Sequence, residues 1–158
     1  MKVIFLDIDG VICTPRSLRL SGWLGLPMER QRFDPAALFW LRWLVRRSGA
    51  ELALCSSWRD AFTMDDPVSR ALIHTLYGRL ARNRTPLSHA VPQLPSGDKG
   101  AEIAAWLAAH DCTAFAILDD HDYFSPASGV QGHWVPVPGE RGLRYREARA
   151  ALRLLTGP

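Results

Sequence analysis

The sequence predicts an α/β fold, a parallel sheet of about five strands with helices on both faces. Three observations predict it. Short, almost continuously apolar runs at 2–6, 51–55 and 114–118 read as strands buried on both faces. Segments between and after them carry apolar residues at helical spacing, with helix-start residues in front. The alternation runs through all 158 residues without repeat, low-complexity tract or linker, so a single domain over 1–158 is expected.

The first strand, Lys2 to Leu6, leads directly into Asp7-Ile8-Asp9-Gly10. Residues 13–33 contain Pro15, Gly22, Gly25 and Pro27 and are dotted with arginines, which reads as a flap or long loop. Asp34-Pro35 is a helix start, with Asp as N-cap and Pro in the first turn. Leu38, Leu41, Leu44 and Val45 then share a face, and Gly49 closes the helix. Glu51 to Cys55 is the second strand and ends in Ser56-Ser57-Trp58-Arg59. Asp65-Asp66-Pro67 opens a helix to about Arg82, with Leu72, Ile73, Leu76 and Leu80 as its apolar face. Residues 83–98 read as loop with room for one short strand, Leu87 to Val91. Asp98 caps a helix from Lys99 to His110, and Glu102 sits in its first turn, where the helix dipole favours a carboxylate. A strand from Ala114 to Leu118 ends at Asp119-Asp120. Trp134 to Val137 is a further strand, and Arg144 to Leu155 the last helix.

Composition narrows the class. The chain is 47% hydrophobic and 22% charged, ordinary for a globular protein. No apolar run approaches the roughly 20 residues of a membrane helix. The N-terminal run is broken at once by Asp7 and Asp9, so no signal peptide is read, no membrane partner is expected, and a cytoplasmic location is the default. Three widely spaced cysteines suggest neither a disulfide framework nor a zinc knuckle. Cys55 and Cys112 read as small core residues, and Cys13 has no base near it in sequence. Net charge is +3, compatible with an anionic substrate without specifying one. Of 19 basic residues only Lys2 and Lys99 are lysines, so single arginines say little and Lys99 stands out.

Three predicted strands end in polar groups: Asp7 and Asp9, then Ser56, then Asp119 and Asp120. Ligands of open parallel sheets bind at the carboxyl ends of strands, so these groups should gather at one edge. Lys99, at a helix N-terminus, can point to the same edge. Four carboxylates together repel unless a cation sits among them, and hard oxygen donors suit Mg²⁺.

Phe5-Leu6-Asp7-Ile8-Asp9-Gly10-Val11 resembles the first motif of haloacid dehalogenase-type phosphatases. Ser56 resembles the second motif, Lys99 the third, and Leu118-Asp119-Asp120 the fourth, in the expected order across nearly the whole chain. Ser56-Ser57-Trp58-Arg59, Thr85-Pro86, Lys99-Gly100-Ala101-Glu102-Ile103 and Gly142-Leu143 further resemble a compact subgroup found in multi-enzyme RNA repair, or Swiss Army Knife, proteins. The resemblance implies a three-layer, Rossmann-like sheet and a Mg²⁺-dependent phosphomonoesterase. It implies Asp7 as nucleophile and Asp9 as acid and base, with its backbone carbonyl on the metal. Ser56 and Lys99 would hold the phosphoryl group. Asp119 would ligate Mg²⁺, and Asp120 would do so directly or through water. The residues alone do not separate Ser56 from Ser57.

Around that set the sequence leaves choices open. Arg59 is a candidate phosphate clamp or a surface arginine, and Trp58 a residue packed under the site. His121 reads as structural or solvent-facing, and Asp122 as a loop acid. Arg16, Arg19, Arg30 and Arg32 in the flap suit a polyanion and equally suit a solvated loop. Trp23 there can stack on a base or pack on the domain. Only about two dozen residues separate Gly10 from the first helix, and 59–99 holds one helix and loops, so a minimal cap or none is expected. An open site admits a large substrate, and an RNA or DNA 3′-phosphate end is the leading candidate. A small-metabolite or nucleotide phosphatase is the rival enzyme, and a non-catalytic phosphate- or nucleic-acid-binding domain the rival of another class.

Overall fold

The computed structural model describes residues 1–157. Five strands form one sheet: β1 (Lys2–Leu6), β2 (Glu51–Leu54), β3 (Leu87–Ala90), β4 (Ala114–Asp119) and β5 (Trp134–Pro136). Their spatial order is β3-β2-β1-β4-β5, and each neighbouring pair is parallel. All carboxyl ends therefore lie along one edge, with β1 in the middle.

Val3 to Leu6 are fully buried, as a strand covered on both faces must be. The two-residue period of the strand sorts them between two cores. Ile4, Leu6 and Ile8 join Leu41 and Leu44 of α2 (Pro35–Ser48), Leu76 and Leu80 of α3 (Pro67–Arg82) and Ala148 and Ala151 of α5 (Tyr145–Thr156). Val3 and Phe5 face the other way, to Ile103 and Trp106 of α4 (Lys99–Ala108). This is the expected three-layer, Rossmann-like architecture. No helix among the described residues is long and apolar enough to cross a membrane.

Residues 13–33 depart from the expected loop. Pro15–Trp23 form a helix, α1, and Met28–Arg30 a 3-10 turn. Thr14 caps α1: its Oγ1 accepts from the Ser17 backbone N–H, and the Ser17 hydroxyl accepts from the Thr14 N–H. Apolar periodicity could not reveal this helix, because its buried side chains are Ser17 and Ser21 while Leu18, Leu20 and Trp23 face out. Ser21 is inside because its hydroxyl accepts from the Arg32 N–H, tying the last turn of α1 to the end of the segment. Trp23 is 83% exposed, so it does not pack on the domain.

Asp34 then fixes where α2 starts. One carboxylate oxygen accepts from the Ala36 and Ala37 N–H groups, and the other from Thr14 Oγ1 and the Arg144 guanidinium. The same residue thus ties the loop after β1 to the start of α5.

Candidate active site

The register of the central strands builds the site. Leu6 pairs with Leu118, so the next residues, Asp7 and Asp119, emerge side by side from β1 and β4. The Asp7 N–H extends the ladder by donating to the Leu118 carbonyl at 3.0 Å. Asp98 caps α4 by accepting from the Gly100 and Ala101 N–H groups, which sets Lys99 at the start of the helix. The Lys99 ammonium donates to Asp7 Oδ1 at 3.0 Å and to Asp119 Oδ2 at 2.6 Å. Two adjacent strands and a helix thus meet in one ion-paired triad.

Past Asp7 the chain doubles back. The Ile8 carbonyl accepts from Ile12 and Cys13, and Gly10 turns at φ +73°. Asp120 lies against this turn. A Cβ on Gly10 would come within 2.2 Å of Asp120 Oδ2, and one on Gly139 within 2.6 Å. Two glycines are needed for the Asp120 carboxylate to fit there. His121 Nδ1 lies 2.8 Å from Asp120 Oδ1, and the His121 N–H donates to Asp119 Oδ1. The resulting pocket, about 340 Å³, is lined by Asp7, Asp9, Ser57, Lys99, Asp119 and Asp120, with His121 and Tyr123 at its rim.

Electrostatics follow from burial. Burial pushes the Asp7 acid up to about 6, helped by Asp119 and Asp9 and opposed by the Lys99 charge. Lys99 also loses hydration, but Asp7 and Asp119 outweigh that and hold its pKa above the ordinary lysine range. It stays an ammonium throughout the physiological range. The Cys13 thiol is pushed up to about 12, by burial first and by Asp9 second, and is no nucleophile at neutral pH.

A family model described as the HAD domain in Swiss Army Knife RNA repair proteins matches residues 3–148. The chain belongs to that family. A comparison with curated proteins finds no match. HAD domains are generally hydrolases, phosphatases among them, and typically use Mg²⁺. The acid-rich edge of this HAD domain has the composition such a site requires.

The donor set fits a hard divalent cation. It is rich in carboxylate oxygens, and one ammonium, Lys99, is shared between two of them, Asp7 and Asp119. Asp119, Asp120 and His121 each offer a ligand atom within 4.8 Å of the others.

Two of the expected contacts fall elsewhere. Ser56 is 1% exposed, and its Oγ accepts from the Trp58 N–H, capping the 3-10 segment Ser57–Phe62. Ser57, one residue on, is exposed and lines the pocket instead. Arg59 is no phosphate clamp in this fold. It is 5% exposed, and its guanidinium donates to the Ser56 carbonyl, the Val91 carbonyl and Glu102 Oε2. A buried guanidinium needs such partners, and together they brace the ends of β2 and β3 against α4.

One contact was not legible in sequence. Trp58 Nε1–H donates to Asp9 Oδ2 at 3.0 Å, while its ring packs on Phe33. Trp58 therefore packs beneath the site and also orients one of its acids. The hydrogen bond spans 49 residues, and no local pattern encodes that.

Proposed function

We propose that this HAD domain is a Mg²⁺-dependent phosphomonoesterase that forms an aspartyl-phosphate on Asp7, with polynucleotide 3′-phosphate ends as its substrate. The observation that carries this reading is the single ammonium of Lys99 bridging Asp7 and Asp119 at the floor of an open, acid-lined pocket.

The Asp7 carboxylate attacks phosphorus as the bond to the leaving oxygen breaks, which divides one difficult displacement into two. Asp9 gives its proton to the leaving oxygen. It then takes a proton from water, which attacks the phosphoryl group and returns Asp7 to its free form. Trp58 fixes one Asp9 oxygen and so leaves the other for proton transfer. Lys99 and Ser57 line the pocket where the phosphoryl oxygens would sit, and Lys99 offsets charge gathering there. Asp7, Asp119, Asp120 and the Asp9 carbonyl would hold Mg²⁺, which supplies Lewis-acid neutralisation of the phosphoryl oxygens when bound. With no cap domain among the described residues, a chain end can reach the pocket from solvent, which favours the polynucleotide over a small metabolite.

The test is turnover of acetyl phosphate, a 3′-phosphorylated oligonucleotide and a metabolite panel, with Mg²⁺ and with chelator. We expect Mg²⁺-dependent release of phosphate, and a loss of at least about 10³-fold in Asp7→Asn. Full activity in that variant rejects the nucleophile. Metabolite rates above the oligonucleotide rate reject the polynucleotide reading. No turnover of anything leaves a binding domain.

A further inference from the structure

The catalytic pocket does not end at Asp9. Asp9 and Ser57 also form the near wall of a second groove, of about 260 Å³, which runs outward toward the start of α3. Its other walls are mostly apolar: Met28 from the 3-10 turn, Trp58 from the segment after β2, and Met64, Val68 and Leu72 in and before α3. Apart from Asp9, the only charged side chain lining it is Asp60.

The position of Asp9 decides what this groove can hold. In the reading proposed above, on which this inference rests, Asp9 protonates the leaving oxygen. Whatever is bonded to that oxygen lies beside Asp9, on the side away from Asp7 and Lys99. Two acids and no cation line the groove, so the part of the leaving group seated inside it carries no phosphate, and any further phosphates of a strand lie beyond its open rim. Apolar walls with a few hydroxyls suit an uncharged, flat body with some hydrogen-bonding groups. Two methionine thioethers suit a ring of variable shape, because they are flexible and make favourable contacts with aromatic edges. The Trp58 ring is held in place by its bond to Asp9 and its contact with Phe33, and so offers a fixed surface. Met28 and Met64 are 66% and 55% exposed, so the groove is open at its rim and a chain can continue out of it.

We propose that this groove seats the terminal nucleoside of a phosphorylated polynucleotide, with the base held between Trp58 and the methionines Met28 and Met64. Shape and apolar contact, rather than a cation, then select the leaving group, and the segment 13–33 takes part in recognition through Met28.

The methionines also supply the test. The chain has three, and the third, Met1, lies at the opposite end of β1 from Asp7. Methyl-¹³C-methionine protein carrying Asp7→Asn is titrated with a 3′-phosphorylated trinucleotide, the same strand lacking its terminal base, and a 3′-mononucleotide. We expect the Met28 and Met64 methyl signals to move with the intact strand and Met1 to stay. Weak or absent shifts are expected with the abasic strand. Unmoved Met28 and Met64 signals overturn the proposal, as do equal shifts from the abasic strand. The mononucleotide carries the same base, sugar and 3′-phosphate and should move the same two methyl signals; unmoved signals with it also overturn the proposal. In the otherwise unmodified chain, Met64→Glu should lower the ratio of kcat/KM for the oligonucleotide to that for acetyl phosphate about tenfold. An unchanged ratio counts against the groove. The methyl shifts do not depend on turnover, so the groove and the phosphatase reading fail separately.

Discussion

Asp7 sits at the end of a strand buried on both faces, beside a second carboxylate on the next strand, and that position costs free energy. Its acid is pushed up to about 6 from an ordinary value near 3.8. A carboxyl raised in the folded state binds protons on folding. The cost is therefore absent below about pH 4, grows as pH rises, and is complete above about pH 6. Asp7→Asn removes it. In metal-free protein at pH 8 the variant should be more stable than the parent, by up to about 3 kcal/mol, and the difference should vanish near pH 4. Thermal melts at both pH values check this. A variant less stable than the parent at pH 8 would mean that the pairing with Lys99 outweighs desolvation. Trp58 works at the same scale. Trp58→Phe keeps the ring and loses the donor to Asp9, so kcat for acetyl phosphate should fall about tenfold with little change in KM. Asp7, Asp9, Lys99, Asp119 and Asp120 were legible as candidates because each stands at the end of a recognisable element. The choice between Ser56 and Ser57 was not, since a 3-10 turn rather than a continuing strand decides which hydroxyl faces out.

At the scale of elements, caps and buried pairs set where each functional group lands. Arg59 and Glu102 lie 2.9 Å apart with 6% and 3% of their side chains exposed. The Glu102 carboxylate also accepts from the Leu94 N–H, so the pair locks the start of α4, and with it Lys99, to the ends of β2 and β3. Arg59→Ala leaves a buried carboxylate without its partner and should cost about 3–5 kcal/mol in urea unfolding. Adding Glu102→Gln should recover part of the loss. A loss under about 1 kcal/mol would show that the pair is more solvated than its burial implies. The helix starts at Asp34, Asp66 and Asp98 were legible because N-cap residues act locally. Helix α1 was not, because its buried face is built from serines that satisfy backbone groups of the same segment.

For the whole molecule, the carboxyl edge concentrates like charge where the sheet is most buried, and a bound divalent cation would relieve it. Asp7 and Asp119 belong to different strands, so a cation shared between them would bind the folded chain and not the unfolded one. Saturating Mg²⁺ at 100 times its dissociation constant should therefore stabilise the protein by about 2.7 kcal/mol. For a chain of this size that corresponds to roughly 5–10 °C in Tm. The shift should disappear in Asp119→Ala, and an equal shift there would place the cation elsewhere. The sequence by itself determined the alternation of strands and helices, the helix starts and the acids at the strand ends. Those properties rest on periodicities and caps that act over a few residues. Only the tertiary structure decided that Arg59 turns inward, that Ser57 rather than Ser56 meets the pocket, that Trp58 holds Asp9, and that Asp120 rests on Gly10 and Gly139. Those outcomes depend on residues far apart in the chain, and it is the register of one strand against the next that brings them together.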